Sequence, residues 1–248
     1  MEATEAETSG YYLGDKTNDR DDDRICAHGL HARRRRRCGD CSRCIEAAQA
    51  TILKASGRKA IGVLRYDRRL GRNGQILRLH QEDFAQANGF PPGRKYERGT
   101  LRGLDLEMLL ETGRNVSAND ALALLDQVIF NILVANTDAH AKNYSLILPV
   151  AAAPSLAPLY DVSSVLPWPH VVQSYAQSIA GKKRTPDMIA GRHWEKVARE
   201  IGYRPTDVRN RVQELVDKLV GCRVKVTAEV AALQGATEGY VTQTAEAV

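Results

Sequence analysis

The chain lacks the long apolar run that a membrane-spanning helix requires. No stretch approaches about 18 consecutive apolar residues. The first 25 residues hold many acids and no apolar segment of the kind that opens a secretory signal. We therefore predict a cytoplasmic protein with no membrane partner. The apolar share of 43% and the charged share of 26% are ordinary for a globular protein of 248 residues.

Cysteines are few and unevenly placed. Four of the five lie within residues 26–44, and Cys222 stands alone. An odd count in a cytoplasmic chain argues against a disulfide framework. Cys38, Cys41 and Cys44 have the spacing of a zinc knuckle, but the second knuckle of such sites is missing. We therefore expect free thiols here rather than a metal site.

Residues 1–48 contain almost no periodic apolar pattern. Acidic residues open this segment, and a run of five arginines follows at residues 33–37. Segregated blocks of like charge with few aliphatic residues usually stay disordered. We predict a charged, poorly ordered tail followed by one folded unit over residues 49–240. The arginine run has no interleaved aromatic residues and no reading helix, so direct nucleic-acid binding is not expected.

Apolar periodicity in the rest of the chain predicts a mainly helical α+β fold with small β-hairpins. Strands near 60–66 and 76–79, with Asn73 and Gly74 between them, predict a first hairpin. The segments 144–148 and 156–161 predict a second hairpin. Helices are expected at residues 81–89, 101–113, 118–135, 187–201, 205–220 and 224–233. Ser117 is the expected N-cap of the helix at 118–135.

A polar loop, "NTDAHAKN", lies between the predicted core helix and the strand at 144–148. Four residues separate Asp138 from Asn143, and Asp161 follows Asn143 by eighteen positions. This order of helix, loop, hairpin and final Asp is the layout of the lower lobe of a protein kinase. The pattern predicts that these three side chains converge on one site.

The chemistry of phosphoryl transfer explains these residue types. A carboxylate near the acceptor hydroxyl orients that group and takes its proton, a role that suits Asp138. Magnesium is a hard cation that prefers carboxylate and carboxamide oxygens. His140 and Lys142 fit as donors to the transferring phosphoryl group or as supports of the loop.

Two longer stretches, "LLDQVIFNILVANTDAHAKNYSLIL" and "LAPLYDVSSVLPWP", resemble the carboxy-terminal lobe of HipA-type serine/threonine kinases. Those kinases are the toxins of bacterial toxin–antitoxin pairs. The segments "VLRYDRR", "LHQEDFAQANGFPPGRKYE", "SIAGKKR" and "GRHWEKVAREIG" also resemble that family, in the expected order. The resemblance covers about residues 60–220.

The resemblance implies a function for each matching position. Asp138 would be the catalytic base, and Asn143 and Asp161 would bind Mg²⁺. The stretch "LRYD" would be the hinge strand beside the adenine of ATP, with Tyr66 in contact with the base and Asp67 near the ribose. The implied substrate is a serine in a protein, for which an aminoacyl-tRNA synthetase is an example. The implied partner is a DNA-binding antitoxin.

The chain departs from the family at its amino-terminal side. Family members have an upper lobe with a phosphate-covering loop and a lysine that pairs with the nucleotide phosphates. Only about 60 residues precede the hinge-like stretch, and "KASGRKAIG" is a poor match to a glycine-rich loop. Nothing in the sequence marks Lys54 or Lys59 as the ATP lysine. We expect a truncated kinase, with its upper lobe supplied by a separate chain or lost.

Two other functions remain open at this point. A small-molecule kinase of the aminoglycoside type shares the order of Asp, Asn and Asp, although "NTDAHAKN" and "YDVSS" argue against it. A non-catalytic remnant that binds a partner, such as an antitoxin, is the second alternative. Magnesium-dependent ATP binding distinguishes a kinase from such a module.

Overall fold

The computed structural model describes residues 45–233, residue 236 and residues 238–247. The cysteine and arginine motifs within residues 26–44 lie outside these residues, and so does most of the predicted tail. The first described residues belong to the folded unit. Ile45 is buried, and Ala47 forms a parallel bridge with Leu159.

The strands are short and form three separate antiparallel sheets in the described part of the chain. In chain order they are β1 (Ala50–Ala55), β2 (Arg58–Val63), β3 (Arg68–Leu70), β4 (Ile76–Arg78), β5 (Gln81–Asp83), β6 (Ser145–Ile147) and β7 (Ser155–Leu156). β1 pairs with β2, and β3 pairs with β4. The third sheet has the order β5-β6-β7, so it joins distant parts of the chain.

Helices make up most of the remaining regular structure. The α-helices are α1 (Phe84–Ala87), α2 (Leu106–Arg114), α3 (Ala118–Leu133), α4 (Gly191–Glu200), α5 (Pro205–Ala231) and α6 (Glu238–Ala247). Short 3-10 turns lie at Pro92–Arg94, Ala141–Asn143 and Pro186–Met188. Helices with small antiparallel sheets confirm the predicted α+β class. Within the residues described, every helix is too short or too polar to cross a membrane.

The core is built around α3, which packs against α2 and α5. Leu125, Val128, Ile129 and Ile132 of its apolar stripe are buried, as the periodicity predicted, whereas Leu122 and Leu133 are partly buried. Leu124 is fully inaccessible to solvent. Gly113 of α2 allows a close approach, because a Cβ there would lie 2.5 Å from Cδ2 of Leu124. Phe84 of α1 also belongs to the core and packs near the ring of Tyr144.

Several local signals in the sequence correctly predicted the ends of elements. The Ser117 hydroxyl accepts a 3.0 Å hydrogen bond from the Asp120 N–H, which confirms the N-cap of α3. Gly74 has a φ of 79° and Gly89 a φ of 71°, as their places in a turn and after a helix require. α3 ends within two residues of its predicted end.

The predicted pairing of the first hairpin is wrong. The strand expected at 60–66 corresponds to β2, and β2 pairs with β1 rather than with β4. Ser56 and Gly57 explain this pairing, because both have positive φ values, 49° and 76°. A two-residue turn of that kind matches the twist of a tight hairpin. The turn at Gly74 instead connects β3 and β4.

Four of the predicted helices also need correction. Gln81–Asp83 is strand β5, because it pairs with β6, and only Phe84–Ala87 is helical. α2 begins at Leu106, where the Asp105 carboxylate accepts the Met108 N–H, and not at residue 101. The two helices predicted at 205–220 and 224–233 are one helix, α5.

Candidate active site

The polar loop begins where α3 ends and finishes where β6 begins. Ala135 adopts a φ of 54°, which turns the chain out of the helix. The 3-10 turn Ala141–Asn143 then folds the loop back on itself, since the Asn143 N–H donates to the His140 carbonyl at 2.9 Å. This compact path keeps all the polar side chains of the loop in one region.

The side chains of Asn143 and Asp161 meet, and Asn143 also contacts the main chain of Asp138. Nδ2 of Asn143 donates to Oδ2 of Asp161 at 3.0 Å. The same nitrogen lies 3.4 Å from the main-chain oxygen of Asp138. Asn143 is buried, whereas Asp138 and Asp161 are exposed to solvent. The geometry therefore places the Asn143 carboxamide in contact with the Asp161 carboxylate and with the backbone of Asp138.

Asp161 has an unusual backbone conformation. β7 ends at Leu156, so Asp161 lies beyond the hairpin strand and not at its end as predicted. Its φ is 57°, a left-handed conformation that residues other than glycine rarely adopt. The preceding Tyr160 anchors this segment, because its hydroxyl donates to the Lys142 carbonyl at 2.7 Å and lies 2.6 Å from Oγ of Ser145.

Tyr96 contacts the proposed base directly. Its hydroxyl donates to Oδ1 of Asp138 at 2.6 Å. Burial, reinforced by the hydrogen bond to Asp138, raises the pKa of Tyr96 to about 12. The phenol is therefore protonated at neutral pH and acts as a donor. Oδ1 of Asp138 therefore already accepts a hydrogen bond from Tyr96.

Backbone hydrogen bonds hold the segment around Tyr96 against the polar loop. The Lys95 carbonyl accepts the Ala141 N–H at 3.1 Å, and the Tyr96 carbonyl accepts the Gly103 N–H at 3.1 Å. A Cβ at Gly103 would lie 2.0 Å from the Arg94 oxygen and 2.4 Å from the Tyr96 oxygen. Only glycine permits this approach, so Gly103 helps to hold Tyr96 over Asp138.

His140 and Lys142 occupy different environments. The His140 ring is buried, lies edge-on to the Tyr96 ring with centroids 5.2 Å apart, and its Nδ1 has no hydrogen-bond partner. Burial, together with the charge of Lys95, lowers the pKa of His140. A neutral, packed imidazole suits a support of the loop. Lys142 is half-buried, and its carbonyl holds Tyr160.

Tyr66 and Asp67 lie in the turn between β2 and β3. The stretch "LRYD" is not a strand, which corrects the expected hinge strand. The Tyr66 ring lies 5.9 Å from the Tyr160 ring, so it borders the Asp161 segment. The buried Asp67 carboxylate accepts hydrogen bonds from Arg65 at 2.5 and 2.6 Å and also from Arg68. The Arg65 bond is the main reason why the pKa of Asp67 is lowered. A ribose hydroxyl would compete with these arginines.

The oxygens of Asn143 and Asp161 suit a hard divalent cation. Among the residues that the structure describes, His, Cys, Asp and Glu side chains form no cluster of three or more. Magnesium does not need such a cluster, because it commonly uses one or two carboxylates together with phosphate and water oxygens. The donor set therefore fits Mg²⁺ held jointly with a nucleotide.

A cleft of about 610 Å³ is lined in part by the residue that follows Tyr96 in the chain. Glu97, the neighbour of Tyr96, forms part of its wall, and its carboxylate accepts a 2.8 Å hydrogen bond from the Ser178 hydroxyl. The other charged side chains of the wall are Arg98, Arg102, Asp105, Glu107 and Glu200. The cleft is open and polar, and it begins one residue from the tyrosine that contacts Asp138.

Comparison with known proteins identifies a family for this chain. The model of the HipA-like C-terminal domain matches residues 35–222. This chain belongs to that family. "Putative kinase Y4mE" of Sinorhizobium fredii is 36% identical over 192 residues, which cover 76% of this chain and 45% of the relative. The serine/threonine-protein kinase toxin HipA of Shewanella oneidensis is 33% identical over 151 residues, 54% of this chain and 34% of the toxin.

A solved structure shares the fold. It is the complex of HipA, HipB and their operator DNA from Shewanella oneidensis MR-1, and its match has a TM-score of 0.68 at 26% identity. The match covers 81% of this chain and 49% of the other. This chain thus spans about half the length of the HipA-like relatives it matches.

Sequence reasoning gave no role to Tyr96, Asn136 or Tyr160, although all three contact the site. Each adjoins a motif that carried the resemblance, in "KYE", "NTD" and "LYD". Those motifs marked the correct regions. The contacts themselves join residues far apart in the chain, such as Tyr96 and Asp138, and no local pattern reveals them.

Proposed function

We propose that this chain carries the base and the metal ligands of a HipA-type protein kinase, which transfers the γ-phosphoryl group of ATP to a serine or threonine of a protein. The observation that carries the proposal is the hydrogen bond between Asn143 and Asp161 beside the backbone of Asp138. Membership of the HipA-like family supports it. The relatives are about twice as long, so the activity of this chain alone is part of the proposal.

Asp138 acts as the base. The acceptor hydroxyl donates to the oxygen that Tyr96 leaves open, Oδ2, and the acceptor oxygen attacks the γ-phosphorus. The proton passes to Asp138 as the bond to the leaving ADP breaks. Because Oδ1 already accepts the Tyr96 hydroxyl, the carboxylate has one open side, which gives the acceptor a single direction of approach.

Asn143 and Asp161 hold Mg²⁺. When bound, the ion neutralises charge on the phosphates that react. The hydrogen bond between the two side chains orients both of them before any ligand enters. Such preorganisation lowers the cost of assembling the site. Tyr66, beside Tyr160, offers an aromatic surface for the adenine at the edge of the same region.

The protein substrate and the partner are proposed from the cleft, from the resemblance and from a solved relative. The open cleft lined by Glu97, the residue after Tyr96, is the surface we assign to a polypeptide segment of the substrate. The resemblance suggests an aminoacyl-tRNA synthetase as the protein that carries the acceptor. HipA of Shewanella oneidensis is solved with HipB and operator DNA, so we propose that a HipB-like antitoxin binds this chain.

Calorimetric titration with ATP, in the presence and absence of Mg²⁺, tests the metal site. Asp161→Ala should abolish magnesium-dependent nucleotide binding, because it removes the only carboxylate assigned to the ion. Asp187→Ala, which removes another exposed carboxylate outside the site, should bind normally. Circular dichroism should show the same helix content in all three proteins. Unchanged binding by Asp161→Ala would refute the assignment.

A non-catalytic, partner-binding module is the second candidate. The share of the relatives that this chain covers, 45% of Y4mE and 49% of the solved HipA, favours it. A chain that binds a HipB-like protein but not magnesium–ATP would have this function. Transfer of radiolabelled phosphate to a protein mixture, but not to an aminoglycoside, would instead identify a protein kinase.

A further inference from the structure

Asn136 opens the polar loop and is almost fully buried, at 2% exposure. Its N–H donates to the Asn131 carbonyl at 2.8 Å, and the Ala135 N–H donates to the Ile132 carbonyl at 3.1 Å. This pair of bonds is the Schellman ending of a helix. Glycine usually holds the left-handed position of that motif, but here it is Ala135, with a φ of 54°. The turn that delivers Asn136 is therefore strained.

The side chain of Asn136 joins two buried or constrained groups. Its Nδ2 donates to Oδ1 of Asn131 at 2.8 Å and to the main-chain oxygen of Asp161 at 3.2 Å. Asn131 is itself 2% exposed, and its amide donates to the Tyr144 hydroxyl at 3.1 Å. The Asn136 amide is thus held by α3 on one side and reaches Asp161 on the other.

Asp161 is stabilised by such support. Its φ of 57° lies in the left-handed region, which is uncommon for residues other than glycine, although aspartate adopts it more readily than most. Conformations of this kind persist where the surrounding structure over-determines them. The bond from Asn136 acts on the carbonyl of Asp161, at the strained residue itself. The carboxylate of the same residue reaches Asn143 at 3.0 Å.

We propose that Asn136 is a positioning residue, whose amide holds the main chain of Asp161 in the left-handed conformation that turns its carboxylate toward Asn143. Asn136 does not touch the ion or the phosphates. It connects the end of the central helix to the metal ligand. The expected effect on ion affinity rests on the proposed function, whereas the effect on the backbone of Asp161 does not.

Binding of Mn²⁺ with a non-hydrolysable ATP analogue, followed by electron paramagnetic resonance, tests the proposal on the full chain. Asn136→Ala should weaken Mn²⁺ binding by about tenfold or more, as loss of a group that orients a metal ligand typically does. Asn136→Ser keeps a small donor that is too short to reach both acceptors. Asn136→Ser should show the same loss of Mn²⁺ affinity. It provides the test if the alanine variant does not fold.

Gln127→Ala is the matched control. Gln127 is also a buried carboxamide of α3, and its Nε2 donates to a main-chain carbonyl, that of Ala157, at 3.0 Å. Its removal should lower thermal stability as the Asn136 variants do, but leave Mn²⁺ affinity unchanged. Wild-type affinity in the Asn136 variants would overturn the proposal. An equal loss in Gln127→Ala would also overturn it, because it would show general loosening.

Amide hydrogen exchange without ligand separates this proposal from the proposed function. If the unsubstituted chain binds no Mn²⁺–nucleotide, the proposed function fails, and exchange still tests Asn136. Amides of residues 160–163 should exchange faster in the Asn136 variants than in Gln127→Ala. Equal exchange there would mean that Asn136 does not hold the main chain of Asp161.

Discussion

At the scale of single residues, the contact between Tyr96 and Asp138 defines the open side of the proposed base. The phenol occupies Oδ1 at 2.6 Å and is packed against the His140 ring. Gly103 holds the Tyr96 backbone in place, since a side chain there would collide with two carbonyls. Two loops, one with Tyr96 and Gly103 and the other with His140, therefore fix the orientation of one carboxylate.

The pKa of Tyr96 reports this contact without any need for activity. Burial and the hydrogen bond to Asp138 raise it to about 12. A neighbouring negative charge disfavours the phenolate, so Asp138→Asn should lower the pKa of Tyr96 part of the way toward about 10. Titration of the ¹³Cζ resonances of labelled tyrosine measures the shift, and Tyr96→Phe assigns the signal. If the pKa of Tyr96 stayed constant in Asp138→Asn, the phenol would not donate to Asp138 in solution.

At the scale of elements, an ion pair joins α3 to α5. The Arg211 guanidinium donates to both carboxylate oxygens of Asp126 at 2.6 Å, and both side chains are about nine-tenths buried. Glu214 accepts from Arg211 and from Lys218, each at 2.6 Å. The pair thus fixes how the longest helix lies against the central one.

Removal of one partner of this pair should be costly. Arg211→Ala leaves the Asp126 carboxylate without its main partner, and we expect a loss of about 3 kcal/mol in the free energy of unfolding, measured by urea denaturation. The double variant Arg211→Met, Asp126→Leu should recover most of that loss, because it leaves no unpaired buried charge. A double variant no more stable than Arg211→Ala would show that packing, and not charge, causes the loss.

The elements also show why some sequence predictions failed. The sequence predicted two helices, at 205–220 and 224–233, but Gly221 lies inside the single helix α5, and one glycine costs a helix only about 1 kcal/mol. Burial of Cys222 next to it, at 5% exposure, favours the continuous helix. Gln81–Asp83 looked helical, yet its pairing with Ser145–Ile147 makes it a strand. Contacts with distant residues decided both cases.

At the scale of the whole molecule, burial is uneven. The helices and the third sheet surround the core, whereas β1 to β4 form two hairpins that pack mainly against themselves. These hairpins expose several apolar side chains: Ile61, Val63, Leu70, Ile76 and Leu77. Leu64, between the two hairpins, is exposed as well. Regions with few buried contacts open at low free energy.

Hydrogen exchange in the native state should reveal this difference. Amides paired between β1 and β2 should exchange at least about tenfold faster than those in the middle of α3, because opening the hairpin exposes little core. Mass spectrometry of peptic fragments measures both regions in one sample. Equal protection would mean that the hairpins are coupled to the core more strongly than their burial indicates.

Local features of the sequence determined much of this protein. The stripe of α3, the cap at Ser117 and the glycines at 74 and 89 act through neighbouring residues, so the chain reveals them without any knowledge of its fold. The order of Asp138, Asn143 and Asp161 predicted a shared site, and the family match covers it. Only the tertiary structure decided the partners of β1 and β5, the left-handed conformation of Asp161, and the contacts of Tyr96 and Asn136. Those depend on which distant surfaces pack together, and packing is a property of the whole chain and not of any short segment.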